Sequence, residues 1–363
     1  MSLDSSDASR EYLAHAAPIL ARAAAAEQRA AERLATAIDD FFLAEEGRLD
    51  DRSRAAITGA LTVTLEAIAR EVAGHAARQL AGQPHGASFA PDVSATLARL
   101  WGNHVVRDCE LFDELLGQVR LDLLGDALLA NRAPGTQPTL MPRLAEHDDG
   151  VIAAAARAYL LAENSRRSTG AARHADLPAP LHRRLVWWVA AALRDDGAAD
   201  ASGQVAVDRA LVTAARRSLA AHDDQDSLEA AAIRLAGAID PRGRDLAELL
   251  VEALEDGRAA LFVAVVARAA AITFADARTI VLDPAGDQLW LALRAQGLDR
   301  AAIARVGLAL ADADPRRDID AFADMLDMIA AIPADAARDA LAPLALPADF
   351  RAAIRALAGC AGR

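Results

Sequence analysis

Three features of the sequence predict an all-α fold. Alanine is the most abundant residue in a chain with 53% hydrophobic but only 4% aromatic residues, and alanine has the highest helix propensity. Apolar and polar residues rarely alternate, as they would in a half-buried strand. Apolar residues recur instead at helical spacing, between turns marked by glycine, proline and aspartate. We therefore expect the 363 residues to form packed helices.

The charge balance disfavours a general nucleic-acid binder. The chain has 39 basic residues, all arginine, against 52 acidic residues, for a net charge of -13. A protein that binds the phosphate backbone needs a concentrated basic face, and no stretch of this sequence is both long and basic. No apolar run approaches the roughly 18 residues of a membrane span, and no basic, then apolar, leader opens the chain. The sequence predicts a cytoplasmic protein with no nucleic-acid or membrane partner.

The N-terminal part is predicted to be a hairpin of two long helices. Residues 10–46 contain no glycine, and residues 50–82 form a second long helical stretch that Asp50 or Asp51 can cap. Both stretches are far longer than the mean helix of roughly 11–12 residues. Their apolar faces exceed what two helices can bury between themselves. We therefore expect a helical bundle over residues 1–132 that forms a homodimer.

Beyond a glycine- and proline-rich segment at 131–139, the chain is expected to form a second domain, residues 138–363. Stretches that start at Leu144, Leu219 and Leu293 place their turn residues in a similar register, with a repeat of about 75 residues. Each repeat has room for two helix pairs. This pattern predicts a HEAT-like α-solenoid, in which each short helix pair buries its apolar face against its neighbours.

The stretch LDPAGDQLWLALRAQGLD, residues 282–299, looks like a loop that holds a ligand, but it is better explained as a turn between helices. Asp283 is predicted to be an N-cap, with Pro284 as the first helical residue. Leu289 and Leu293 would face inward, and Gly297 would end the helix in the left-handed conformation. The Asp-Pro pairs at 240 and 314 are expected to start helices in the same way.

Two other expectations concern burial. Residues 260–272 are apolar almost all round, which predicts a central helix buried on several faces. Cys109 lies in a helical run and is expected to be a small core residue. Together with Cys360 it makes neither a disulfide framework nor a metal-binding pattern.

Several helical stretches along the chain carry a resemblance to a known family. They are AIDDFFLAEEGRLDDRSRAAITGAL, LEAIAREVAGHAARQLAG, DLPAPLHRRLVWWVAAALRD and GRAALFVAVVARAAAITFADARTIVLDPAGDQLWLALRAQGL. Together they resemble an uncharacterised bacterial family, domain of unknown function twenty-three thirty-six (DUF2336), over most of the chain. The resemblance implies an all-helical, HEAT-like fold. It brings no established activity, cofactor or catalytic residue.

The residues that most resemble metal ligands are two His-Asp-Asp triplets, at 147–149 and 222–224. Adjacent side chains diverge on a helix, so one triplet cannot supply a site and the two would have to meet. The simpler interpretation is that each triplet closes one helix and caps the next, with histidine favourable near the negative helix end. Zinc-type spacing, a Gly-x-Ser-x-Gly elbow and a phosphate-binding loop are all missing. We expect no metal, no cofactor and no catalytic residue.

His75 provides an alternative function. It lies in the middle of the second long helix, the setting used by phosphorelay histidines. Arg78 stands where phosphotransfer domains commonly have lysine, and Gln79 replaces the usual glycine. A histidine exposed on a long helix is usually only solvated. The alternative is therefore phosphotransfer, or small-ligand binding, by the N-terminal hairpin.

Arg183, Trp187 and Arg194 are the candidate partner-binding residues. One apolar face of their helix is predicted to comprise Leu181, Leu185, Trp188 and Ala192. Trp187 lies nearly opposite, with an arginine about one turn before it and another on the same side. Arginine beside an exposed tryptophan is typical of interface hot spots. The alternative is that Trp187 packs against the next helix layer.

Three further arginines, Arg166, Arg167 and Arg173, lie just upstream in a stretch rich in serine and glycine. They make this the most basic region of an acidic chain. Extended helical stacks offer large binding surfaces, and no set of catalytic residue types converges here. We therefore predict a non-enzymatic helical-repeat scaffold or adaptor with a regulatory role, whose partner is another protein.

Overall fold

The computed structural model describes residues 49–81, 89, 91–103, 106–132, 139–167, 175–195, 201–347 and a few residues between 349 and 357. Over these residues the chain contains helices and connecting loops and no strand, so the all-α prediction is confirmed. The chain divides into two compact units, Met1–Arg54 and Ala55–Arg363. Only residues 49–54 of the first unit are described, so the predicted helix at 10–46 lies outside the described residues.

The helices are numbered in chain order. In order they are α1 (Asp51–Leu80), α2 (Val93–Gly102), α3 (Cys109–Ala130), α4 (Leu140–Ala145), α5 (Gly150–Arg167), α6 (Ala179–Arg194), α7 (Ala201–Ala221), α8 (Leu228–Ile239), α9 (Gly243–Glu255), α10 (Ala259–Ala270), α11 (Phe274–Leu282), α12 (Asp287–Ala295), α13 (Arg300–Ala313), α14 (Ile319–Ala331) and α15 (Ala334–Leu341). Short 3₁₀ turns occupy Asp224–Asp226 and Ala342–Ala345.

The second predicted long helix is confirmed as α1, and its start shows why it begins there. Asp50 accepts a hydrogen bond from the backbone N–H of Ser53 at 2.7 Å, which is the expected N-cap contact. The Ser53 hydroxyl donates to the other carboxylate oxygen, also at 2.7 Å. Hydrogen bonds from the backbone and side chain of Ser53 hold the pKa of Asp50 below its usual range. The predicted homodimer remains a prediction.

Helix α10 lies at the centre of the core, as its composition predicts. Residues Ala259 to Ala267 are all buried. The helix contacts α3, α8, α9, α11 and α12. A helix that is apolar on every side is stable only when neighbours cover all its faces, and these five helices provide that cover.

The core crosses the predicted domain boundary at 132–138. Leu121, Leu124 and Leu128 of α3 belong to the same hydrophobic cluster as α8 to α15. Helix α3 contacts α9, α10, α11 and α13, so this cluster extends across residue 132 within the described part of the chain. The predicted division into domains 1–132 and 138–363 therefore does not match this core. In a linear helical stack each repeat contacts only its neighbours, whereas α3 contacts helices far along the chain. The HEAT-like repeat remains an interpretation.

The Asp-Pro turns end helices, and the prediction that they start them is wrong. Asp283 follows the last residue of α11, and Asp240 and Asp314 occupy the same position after α8 and α13. Proline after the cap stops a helix as readily as it opens one. Asp283 accepts only one long hydrogen bond from its own turn, from the backbone N–H of Ala285 at 3.3 Å.

Helix α12 begins three residues later than predicted, because a glycine sets its start. Gly286 is the N-cap residue, with φ of 71°. The ring of Trp290 packs directly over it, so a Cβ at this position would lie 2.8 Å from the ring. Only glycine combines a readily adopted positive φ with the absence of a Cβ. The other expectations for this stretch are confirmed: Leu289 and Leu293 are buried, and Gly297 has φ of 78° at the helix end.

Cys109 is not a core residue. It is the first residue of α3 and is exposed. Asp108 precedes it and accepts from the backbone N–H of Leu111 at 2.9 Å. The helix therefore starts at Cys109, and its first turn projects its side chains outward before the buried face begins at Leu111.

None of the helices in the described ranges is, by itself, long and apolar enough to cross a membrane. Helices α10 and α11 meet that criterion only as a pair, and the chain bends by 114° between them.

Candidate functional site

The candidate partner-binding residues lie on the outer side of α6. The buried side of this helix consists of Leu181, Leu185, Val186, Val189, Ala190 and Leu193. Arg183, Trp187 and Arg194 are exposed, and Trp187 keeps 37% of its surface accessible. Trp188, predicted as a core residue, is only half-buried. The buried arc turns toward Val186 and Val189, so Trp188 lies at its edge.

Charged contacts lie at both ends of α6. Near its start, Arg184 pairs with Asp108 and with Glu110, the latter at 2.8 Å between Nη2 and Oε2. Near its end, Asp195 lies 4.0 Å from the Nε of Arg99. Helix α6 therefore rests on the start of α3 and the end of α2, and its outer side is left accessible.

Helix α7 adds a second exposed stripe beside α6. Val205, Arg209, Val212 and Arg216 are exposed and follow i, i+4, i+7, i+11 spacing, so they lie on one face. The opposite side of α7 is buried through Val207, Leu211, Ala214 and Ser218. This stripe was not predicted, although its helical spacing is visible in the sequence.

A salt bridge beside these stripes joins α6 and α7. Arg194 donates to Asp208 through Nε at 2.7 Å and through Nη2 at 3.2 Å. The hydrogen bond from Arg194, together with one from Gln204, holds the pKa of Asp208 below its usual range. Helices α6 and α7 are in contact and joined by a short connection, so they run antiparallel. The bridge makes Arg194 a link between the helices and leaves it less free for a partner than predicted.

These residues define one surface, which we name the α6–α7 face: Arg183, Trp187, Arg194, Val205, Asp208, Arg209, Val212 and Arg216. Asp208 is neutralised by Arg194. Arg183, Arg209 and Arg216 form no ion pair within the described part of the chain. The α6–α7 face is therefore basic and partly apolar, on a chain of net charge -13.

The position of Arg166 in the sequence suggested that it adds to this basic surface, but it does not. It is buried at the end of α5. Its Nη2 lies 2.8 Å from Asp122, and its Nε lies 3.6 Å from Asp176. Arg166 instead lines a cavity of about 260 Å³ between α3, α8 and α11, which sequence patterns did not predict.

Both ring nitrogens of His75 lie near a charged side chain. Its Nδ1 lies 2.8 Å from the Nη2 of Arg78. Since a guanidinium only donates, Nδ1 accepts and the proton of a neutral ring sits on Nε2. Nε2 in turn lies 3.9 Å from the Glu71 carboxylate. A phosphoryl group would meet a protonated nitrogen and a negative neighbour, so this geometry disfavours phosphotransfer.

The two His-Asp-Asp triplets act at helix and turn starts. Asp149 accepts from the backbone N–H of Val151 at 2.7 Å, at the beginning of α5. Asp223 accepts from the backbone N–H of Gln225 at 2.8 Å and caps the 3₁₀ turn. The capping interpretation is thus confirmed for the first triplet, whereas the second caps only the 3₁₀ turn, and Ser227 caps the next helix, α8. Among the residues described, no group of three His, Cys, Asp or Glu side chains is placed to hold a metal ion.

Comparison with known proteins identifies a family but assigns no activity. The model of a family described as an uncharacterised protein conserved in bacteria, DUF2336, matches residues 135–342. The matched region contains the whole α6–α7 face. No curated protein and no solved structure matches the chain. Since the family model covers more than half of the sequence, the chain belongs to the uncharacterised bacterial family DUF2336.

Proposed function

We propose that this protein is a non-enzymatic scaffold or adaptor that binds another protein through the α6–α7 face. The observation that carries the proposal is Trp187, an exposed tryptophan placed between arginines on a helix that already has a complete buried face. Trp187 lies outside this buried face, and 37% of its surface is accessible to a partner. Tryptophan and arginine are the residues most enriched in interface hot spots.

The charge of the face indicates the chemistry of the partner. Arg183, Arg209 and Arg216 present positive charge that no described acidic residue neutralises. An acidic segment satisfies these groups, whereas the net negative charge of the chain as a whole disfavours binding of acidic proteins at other surfaces. Val205 and Val212 add apolar surface on the same face. The partner segment is therefore acidic along one side and apolar along the other.

The geometry of the pair favours a helical partner segment. Two antiparallel helices present a shallow groove between parallel rows of side chains. An amphipathic helix binds such a groove with its apolar residues and places its charged flank against the rim. Here the rows are Arg183, Trp187 and Arg194 on one side and Val205, Val212 and Arg216 on the other.

A photo-crosslinking amino acid at position 187 tests this proposal in the native host. A matched control carries the same group at Leu308, which is 50% exposed on α13, outside the α6–α7 face. We expect a discrete crosslinked protein from position 187 that is missing from position 308, with the crosslink mapped to an acidic, amphipathic segment. Equal crosslinking from both positions, or a partner segment without acidic residues, would contradict the proposal.

A further inference from the structure

A half-enclosed cavity of about 260 Å³ lies below the start of α8. Its apolar walls include Leu121, Leu177, Ile233, Ala260 and Phe274. Its charged lining consists of Arg166, Arg278, Asp176, Asp224 and Glu229. The α6–α7 face shares no residue with this cavity, so a ligand can be assigned to the cavity independently of the proposed scaffold function.

Both arginines that line the cavity are already neutralised. Arg278 binds Glu114 through two parallel hydrogen bonds of 2.9 and 2.7 Å. Gly117 makes room for this pair, since a Cβ there would lie 2.7 Å from the Arg278 Nε. Arg166 is held by Asp122 and Asp176. Neither guanidinium is left with an unbalanced charge to attract an anion.

The neutral polar groups of the cavity are also occupied. Gln118 donates to Glu114 at 2.7 Å and to the backbone carbonyl of Asp176 at 2.6 Å. Its side-chain oxygen accepts from the backbone N–H of Asp176 at 3.1 Å. The carboxylate of Asp176 accepts from the backbone N–H of Leu228 at 3.0 Å. These bonds fix the cavity wall and leave few donors for a ligand.

The carboxylate of Glu229 differs from these polar groups of the cavity in its hydrogen bonding. No hydrogen bond to its carboxylate comes from any residue in the described ranges. Burial raises the pKa of Glu229, and Glu114, Asp176 and Asp224 add to this, while Arg278 opposes it. Glu229 is half-buried, and a carboxylate partly withdrawn from water without a hydrogen-bond partner is costly, so the cavity contains a negative group that a suitable ligand would stabilise.

We infer that this cavity binds a small organic cation, a primary amine on an apolar body, whose ammonium group pairs with Glu229. The ammonium supplies the hydrogen-bond donor that Glu229 lacks, and the apolar body fills the space between Leu121, Ile233 and Phe274. The cavity lining contains three acidic residues and two arginines, so its net charge is negative. An anionic ligand would be repelled by Glu229, Asp176 and Asp224.

Phenethylamine is a suitable probe, with 2-phenylethanol and 3-phenylpropionate as neutral and anionic probes of similar shape. Binding to the full chain is measured by calorimetric titration and by ligand-detected NMR. Glu229→Gln removes the charge, and Asp226→Asn removes a charge at an exposed residue three positions away that does not line the cavity. Circular dichroism shows whether each variant keeps its helical content.

We expect the amine to bind the wild-type chain and the D226N chain equally, and E229Q to bind at least 10-fold more weakly. The alcohol and the carboxylate should bind at least 10-fold more weakly than the amine. Affinity for the amine should fall as pH decreases through the raised pKa of Glu229, since a proton then competes with the ligand. No binding of the amine at millimolar concentration, equal binding of the alcohol, or unchanged affinity in a folded E229Q chain would overturn the inference.

Discussion

Glycine positions show how single residues decide the packing of this protein. At Gly286 and Gly307 the missing side chain admits the rings of Trp290 and Phe322, whose centroids lie 4.7 Å apart. These two rings connect α12 with α14 inside the core. A sequence pattern indicates that a glycine permits a turn, but it does not reveal which distant side chain occupies the space above it.

Gly286→Ala should destabilise the protein more than Gly297→Ala. Both residues have positive φ, 71° and 78°, so each substitution costs about 1–2 kcal/mol of backbone strain. At Gly286 the new methyl group also meets the Trp290 ring, whereas at Gly297 it meets nothing within 4 Å. Overpacking adds about 1–3 kcal/mol at Gly286 alone. Equal losses of unfolding free energy in urea would show that the Trp290 contact is unimportant.

Glu114 and Glu229 lie near the same arginine, yet their pKa values shift in opposite directions. The pKa of Glu114 is lowered, because its hydrogen bonds and charge interaction with Arg278 outweigh burial. The ion pair of Glu114 and Arg278 therefore stabilises the fold at pH values above the ordinary glutamate pKa. This stabilisation is lost as pH falls through the lowered pKa of Glu114. The pKa of Glu229 is raised by burial, so the fold gains stability as Glu229 takes up a proton and loses it as pH rises.

Glu229→Gln should therefore raise the unfolding free energy at neutral pH and change it little near pH 4, where Glu229 is protonated in the wild type as well. Glu114→Gln should lower stability at neutral pH, and the difference from wild type should shrink on acidification. Urea unfolding at a series of pH values from 4 to 8 measures both differences. A stability change for E229Q that is negative, or the same at every pH, would contradict this assignment.

At the scale of the helices, prediction succeeded where the local sequence pattern determines the start or burial of a helix. It failed where contacts with distant residues determine them. The N-cap of α1 and the burial of α10 follow from residues in or next to each helix, and both were predicted. The start of α12 depends on the Trp290 ring over Gly286, and the Asp-Pro pair could not reveal it. The α7 stripe was predictable from spacing. The cavity was not, since its lining extends from Gln118 to Arg278.

Asp256 connects helices that are far apart in the sequence. It is buried after the end of α9, and it accepts from Arg132 at 2.6 Å and from the backbone N–H groups of Thr139 and Leu140 at 2.8 and 2.6 Å. Thr139 provides no side-chain cap for α4. Asp256 therefore caps α4 from another part of the chain, and it neutralises an arginine that follows α3.

Asp256→Ala should lower the unfolding free energy by about 3–5 kcal/mol, because it leaves Arg132 without its buried partner and α4 without its cap. The matched control is Glu248→Ala, which removes an acid from an exposed i, i+4 pair with Arg244. That change should cost about 0.5 kcal/mol or less. Thermal and urea unfolding of both variants provide the comparison, and a D256A loss as small as that of E248A would refute the role of Asp256.

For the whole molecule, the core that α3 shares with the later helices changes what a truncation should do. The sequence suggested that residues 138–363 fold by themselves, but α3 supplies Leu121, Leu124 and Leu128 to the core and Glu114 to Arg278. These contacts join residues more than a hundred positions apart. Local sequence patterns contain no information on such pairs, which is why a turn-rich segment at 131–139 resembled a boundary.

A chain that lacks residues 1–130 should lose cooperative unfolding and aggregate, since the surface that α3 covers on α9, α10, α11 and α13 becomes exposed. A chain that lacks only residues 1–48 retains every described helix and serves as the control. It should keep a single thermal transition. A soluble, cooperatively folded 131–363 fragment would show that α3 is dispensable for the core.

The central claim is that the α6–α7 face binds an acidic, amphipathic segment, and it is tested most directly by titrating the crosslinked partner segment into variants of the full chain. Trp187→Ala should weaken binding by about 2 kcal/mol or more, roughly 30-fold, and leave the chain cooperatively folded, because Trp187 lies outside the buried face of α6. Leu308→Ala should bind as the wild type does. Wild-type affinity in W187A, or a loss of binding that accompanies unfolding of the chain, would contradict the claim.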